Sequence, residues 1–135
     1  MIADPGFVHL HIHTAFSLRE GALTLKKLLH LAAADGQPAF AVTDTNNLFG
    51  ALEIAEKAAE AGLQAIPGAQ LTVDFGGCDA GDKRKPSRGA VALLAKTETG
   101  YRNLMRLASR AYLNADGEEP SVTIEELIGN SADLI

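Results

Sequence analysis

Tryptophan is absent from this 135-residue chain, and cysteine occurs once, at Cys78. One thiol can form neither an intramolecular disulfide nor a thiolate zinc cluster, which fits a reducing, cytoplasmic setting. No stretch approaches the roughly 20 apolar residues needed to cross a bilayer, so no membrane contact is expected. The opening Met1–Gly6 lacks the basic-then-apolar layout of a signal peptide. A surplus of positive charge is missing as well: 12 Lys and Arg stand against 17 Asp and Glu, a net charge of −5. A protein that neutralises phosphates normally carries the opposite sign, so the chain alone is not expected to hold DNA tightly. There is no P-loop, dinucleotide fingerprint or nucleophile elbow. What is present is ordinary for a globular protein, 47% hydrophobic and 21% charged residues, in a length sufficient for one domain with a core.

Hydrophobic spacing divides the chain into alternating elements. Val8, Leu10 and Ile12 alternate with His9, His11 and His13, the period of a strand with histidines on one face. Leu25, Leu28, Leu29 and Ala32 make a helical stripe, with Thr24 as N-cap and Gly36 and Pro38 as its end. Ala39 to Thr43 reads as a buried strand. Leu48, Ala51, Leu52, Ala55, Ala58 and Ala59 predict a second helix, closed by Gly62. Gln64 to Phe75 carries a strand signal broken near Pro67-Gly68. Gly76 to Gly89 is rich in glycine, holds Lys83-Arg84-Lys85 and Pro86, and reads as an exposed loop. Ala90 to Ala95 predicts another strand, and Tyr101 to Ala111 a third helix. Thr123 with Glu126 forms a capping box before a short last helix, and Asp133-Leu134-Ile135 resembles a strand start. The order predicts an α/β fold with mainly parallel strands and outer helices.

The chemistry-bearing residues cluster early. Side chains two apart on a strand point the same way, with Cα atoms about 6.5 Å apart, so His11 and His13 can converge on one metal ion. His9, Glu20 and Asp44 are candidate supporting groups. Each has a plainer reading: the histidines as a hydrogen-bonded lining, Asp44 as a turn or cap residue, Glu20 as a solvated turn residue. Lys83, Arg84, Lys85 and Arg88 could touch a phosphate backbone or simply be solvated. Tyr101 and Arg102 could bind a ligand or, at the start of an amphipathic helix, serve packing and surface, and Cys78 has no activating partner.

An ordered set of short motifs carries a resemblance. Phe7-Val8-His9-Leu10-His11-Ile12-His13-Thr14, followed by Ser17 and Gly21, resembles the opening of the PHP domains of bacterial replicative polymerases. Thr43-Asp44 with Asn47-Leu48-Phe49-Gly50, then Pro67-Gly68, then Leu93-Leu94-Ala95-Lys96 with Gly100-Tyr101-Arg102-Asn103-Leu104 continue it in family order. The set resembles DNA polymerase III alpha subunits more than free-standing PHP phosphatases. It implies the first part of a distorted (β/α)7 barrel, with residues 1–135 the incomplete N-terminal part of a PHP domain.

Active PHP domains bind about three metal ions and hydrolyse phosphoesters, so the resemblance implies metal ligands at His11, His13 and Glu20. The family's next ligands are replaced here by Thr45, Gln70 and Ala90. Thr45 and Ala90 offer no imidazole, and Gln70 lacks the charge that offsets a cation. A multi-metal centre needs ions about 3.5–4 Å apart held by such ligands, so no phosphoesterase activity and no catalytic residue is expected. One weakly bound zinc or manganese ion at His11 and His13 is the most the site would take. The family further implies DNA-templated DNA synthesis by a parent chain, with magnesium serving its separate polymerase domain. The expected partners are the rest of that chain, the proofreading exonuclease subunit, and DNA through the parent chain. The competing expectation is a free-standing PHP metallophosphoesterase such as a histidinol-phosphate phosphatase, with a full ligand set. An incomplete barrel leaves strand edges open, so the isolated chain is expected to self-associate.

Overall fold

The computed structural model describes residues 6–79 and 82–135, and the side chains of residues 78–79 and 82–86 lie outside that description. The elements run α1 (Leu25–Ala34), β1 (Ala39–Val42), α2 (Ala51–Glu60), β2 (Gln64–Asp79), β3 (Asp82–Leu94), α3 (Glu98–Leu113), β4 (Val122–Thr123) and α4 (Ile124–Gly129). The α/β class and the helix positions agree with the periodicity. The Thr24 hydroxyl accepts from Lys27 N and starts α1, which buries Leu28 and Ala32. Gly36 follows at φ +68°, a left-handed position that glycine takes without penalty. Leu48, expected on the α2 stripe, precedes the helix and packs instead against the core under α3.

The sheet is mixed. β1 pairs parallel with β2 through Ala39–Val42 and Gln64–Pro67, and β4 pairs parallel with β2 at Val73 and Asp74. The long β2–β3 pairing is antiparallel. Two sequence expectations change here. The segment from Gly76 to Gly89, read as a loop, instead belongs to β2 and β3 where it is described, with Cys78 paired to Pro86. The register shifts between Asp74 and Asp79, where Gly76 and Gly77 sit at φ +75° and +79°. Glycines that signalled a loop are those of an irregular strand. The side chains of Cys78 and of Lys83, Arg84 and Lys85 lie outside the described residues.

The second change concerns Pro67-Gly68, where β2 is continuous rather than broken. It gains a second neighbour there: β1 pairs with it up to Pro67, with one further bridge from Thr45 to Gln70, and β3 pairs with it from Gly68 onward. Proline can only accept in a ladder, and Pro67 O accepts from Ala95 N at 2.9 Å. A Cβ at Gly68 would come within 2.7 Å of Leu93 O.

The N-terminal histidine segment is extended but is not a full strand. His9 O accepts from Ala41 N, Ile12 O accepts from Thr43 N, and Ile12 bridges Val42 in parallel. Ile12 packs against the core while Leu10 remains 50% exposed, so the expected apolar face is only partly covered. At the other end, Leu134 bridges Ala95 antiparallel and Ile135 exchanges two backbone hydrogen bonds with Leu94, the strand start read in Asp133–Ile135.

Two apolar clusters result. One joins Leu28 and Ala32 of α1, Phe40 and Val42 of β1, and Ile54 and Ala58 of α2. The other joins Ala69, Leu71 and Val73 of β2, Leu93, Val122, and Leu104, Leu107 and Ala111 of α3. Because Ala69, Leu71 and Val73 face α3, the alternate residues Gln70 and Thr72 face the opposite side of the sheet. Opposite Thr72 and Gln70 stand Ala90 and Ala92 of β3.

Candidate metal centre

The turn after the histidine segment brings the early residues together. Thr14 bridges Leu23, and Ser17 N, Glu20 N and Gly21 N donate back within the turn. Arg19 has φ +72°, an uncommon conformation for a residue other than glycine. Gly21 passes so close to Thr14 that a Cβ would lie 2.0 Å from Thr14 O. That close approach is what the glycine is for.

Within the turn Glu20 reaches back to His13, with Oε2 2.9 Å from Nδ1. Thr45 Oγ1 donates to the same carboxylate oxygen. His13 Nε2 is buried and has no hydrogen-bond partner. His11 shares a 2.7 Å hydrogen bond between Nδ1 and Thr43 Oγ1, and its ring meets that of His13 edge to face, centroids 4.9 Å apart. Both imidazoles are therefore fixed through Nδ1, the pattern in which a protein partner orients a ring whose other nitrogen binds elsewhere. They line a cleft of about 720 Å³ with His9, Glu20, Leu23, Leu31 and Gln37.

Asp44 is placed differently from the supporting role considered for it. It is 3% exposed and accepts from Thr14 N at 2.7 Å, Thr14 Oγ1 at 2.7 Å and Ser17 Oγ at 2.6 Å. Its oxygens tie the turn to the end of β1, in line with the plainer turn reading. His9 is exposed, packs edge to face on Phe7 at 4.7 Å, and donates its backbone N–H to Gln37. Gln70 joins the site from β2: Nε2 lies 3.5 Å from Thr45 Oγ1, and Thr45 bridges Gln70 in parallel. Ala90 is on β3 opposite Thr72.

Sequence reasoning missed the contribution of Thr14, Ser17 and Thr43. The hydroxyl-rich strings around the histidines and around Asp44 were the available signal, since such side chains bond nearby polar groups. Among the described residues no three His, Cys, Asp or Glu side chains converge as a metal-holding group. Among the described residues the donor set does not fit a multi-ion hydrolytic cluster: Glu20 is engaged by His13 and Thr45, and the partner positions Thr45 and Gln70 carry a hydroxyl and an amide. The unpaired Nε2 of His13, beside the His11 ring, is a nitrogen left open to an ion.

Comparison with known proteins places this architecture. The family model described as PHP domain matches residues 9–135. The chain is 39% identical to the DNA polymerase III subunit alpha of Treponema pallidum over 99% of its own length and 12% of that protein. It is 42% identical to the corresponding subunit of Thermus aquaticus, over 96% of the chain and 11% of the relative. It is 44% identical to the error-prone DNA polymerase of Symbiobacterium thermophilum, over 87% and 9%. The chain thus spans about a tenth of the length of these relatives. Among solved structures it is similar to an amidohydrolase from Chromobacterium violaceum with bound sulfate and no metal, at TM-score 0.57 and 24% identity, covering 79% of this chain and 34% of that one. It is also similar to a protein named as a metal-dependent phosphoesterase from Bifidobacterium adolescentis, at TM-score 0.51 and 19% identity, covering 93% and 43%. These two likenesses concern the fold. With its motifs in order, its mixed α/β sheet and a family match along nearly all its length, the chain belongs to the PHP domain family.

Proposed function

We propose that the chain is the N-terminal PHP region of a replicative DNA polymerase III alpha subunit, and that it acts there as a non-catalytic scaffold. The observation that carries the second half is the engagement of Glu20. Its carboxylate oxygen accepts from Thr45 and contacts His13 where a hydrolytic centre would present it to cations. The first half rests on the relatives named as alpha subunits, 39% and 42% identical along nearly the whole chain. DNA synthesis belongs, on this reading, to magnesium-dependent carboxylates elsewhere in the parent polypeptide. The scaffold's partners are the rest of that polypeptide and the proofreading exonuclease subunit.

His11 and His13 would hold at most one zinc or manganese ion, through the nitrogens their Nδ1 partners leave over. When bound, such an ion supplies Lewis acidity. The chain's own residues contribute the orientation of the two rings and nothing that positions a second ion.

The second reading, a free-standing PHP phosphoesterase, is favoured by one observation, the buried and unpaired His13 Nε2. Metal analysis together with a phosphodiesterase assay in manganese or zinc separates the two. The scaffold reading expects no more than one ion per chain and no turnover above the metal-only background. Turnover that is lost in His13→Ala would overturn it.

A further inference from the structure

The turn that carries Arg19 at φ +72° is held from two sides. The inner anchor is buried Asp44, bonded to Thr14 and Ser17. The outer anchor is Glu20, whose side chain is 46% exposed. In a metal centre a cation would hold such a carboxylate. Here its Oε2 meets a hydroxyl and an imidazole nitrogen.

We infer that Thr45, Glu20 and His13 form an ion-free latch, in which the Thr45 hydroxyl does the holding that a cation would otherwise do. This deepens the scaffold reading and rests on its claim that the centre lacks donors for several ions. Thr45 is set in place from two directions. Its N–H donates to Ser17 Oγ at 3.0 Å, and its bridge to Gln70 continues the parallel ladder from β1. Gln70 matters chemically as well as sterically. Its amide N–H group faces Thr45 Oγ1 at 3.5 Å, so the hydroxyl oxygen meets a donor on the sheet side and gives its own proton to Glu20. A hydroxyl has one proton to give. A carboxylate at position 70 would compete for it and would bring a second negative charge to the same rim. Threonine at 45 and glutamine at 70 are therefore a matched pair: together they satisfy Glu20 without a cation. A hydrogen bond to an ionised oxygen is the stronger kind, although water at a half-exposed rim screens it.

The test is thermal melting of the chain by circular dichroism, with chelator and with added manganese. The wild type is expected to melt at the same temperature in both. Thr45→Val should melt about 3 °C lower, and Thr45→Ser, which keeps the hydroxyl, should restore the wild-type value. Thr45→Val combined with Glu20→Gln should fall no further than the worse single variant, because the two act through one bond. Gln70→Glu should melt lower in chelator and recover on adding manganese. Melting of Thr45→Val at the wild-type temperature, or failure of Thr45→Ser to restore it, overturns the latch. So does a wild-type melting point that falls in chelator. Ion counting keeps the two claims apart. More than one tightly held ion per wild-type chain ends both. One ion or none, with Thr45→Val melting as the wild type, ends the latch alone.

Discussion

At the residue scale the most exposed single dependence is on Asp44. Three donors, one of them the backbone N–H of buried Thr14, converge on its carboxylate. Removing the carboxylate strands those donors in a dry environment, and an unsatisfied buried group costs more than the bond itself contributed. Asp44→Ala should therefore lose about 3 kcal/mol, read from the shift of a urea unfolding curve at unchanged slope. The residue's identity was legible as a turn former in the string Thr43-Asp44-Thr45. Its partners were not, because Thr14 and Ser17 lie some thirty positions away in sequence and only the pairing of the histidine segment with β1 brings them near. Glu20 shows the same limit. Its type suggested a ligand or a solvated turn, and neither suggests that Thr45 and His13 would both claim one oxygen.

At the element scale, local signals held where the local chain decides the outcome. Thr24 and Thr123 cap the helices expected of them, and the Thr123–Glu126 box is reciprocal: Thr123 Oγ1 accepts from Glu126 N while Glu126 Oε2 accepts from Thr123 N. α4 has six residues and buries none of them fully, so it relies on its cap more than the longer helices do. Thr123→Ala should lower stability by about 1 kcal/mol, whereas Thr123→Ser should be close to neutral, both measured by denaturant titration. Where glycine and proline had to be interpreted, the reading went wrong for one reason. Gly76, Gly77 and Pro67 mark irregularity, and irregularity serves a strand with a shifted register or an added neighbour as readily as it serves a loop. Only the position of β3 decides between them.

At the scale of the whole molecule, the apolar surface left uncovered is as informative as the cores. Phe7 is 67% exposed, Phe49 69% and Leu52 72%, and Leu10 and Phe16 are half-bare. The histidine segment, which holds Phe7 and Leu10, bonds along its β1 side. Surfaces of this kind associate with whatever apolar face is available. The isolated chain should sediment as dimers or larger species at high concentration. A strictly monomeric species across the accessible concentration range would count against it. The two apolar clusters also share one continuous strand. β2 pairs with β1 through Pro67 and with β3 from Gly68 onward, while Thr45 still bridges Gln70 on the β1 side. Loosening that starts around β1 has a covalent route along β2 into the layer beneath α3, and the two clusters are bound to share each other's fate.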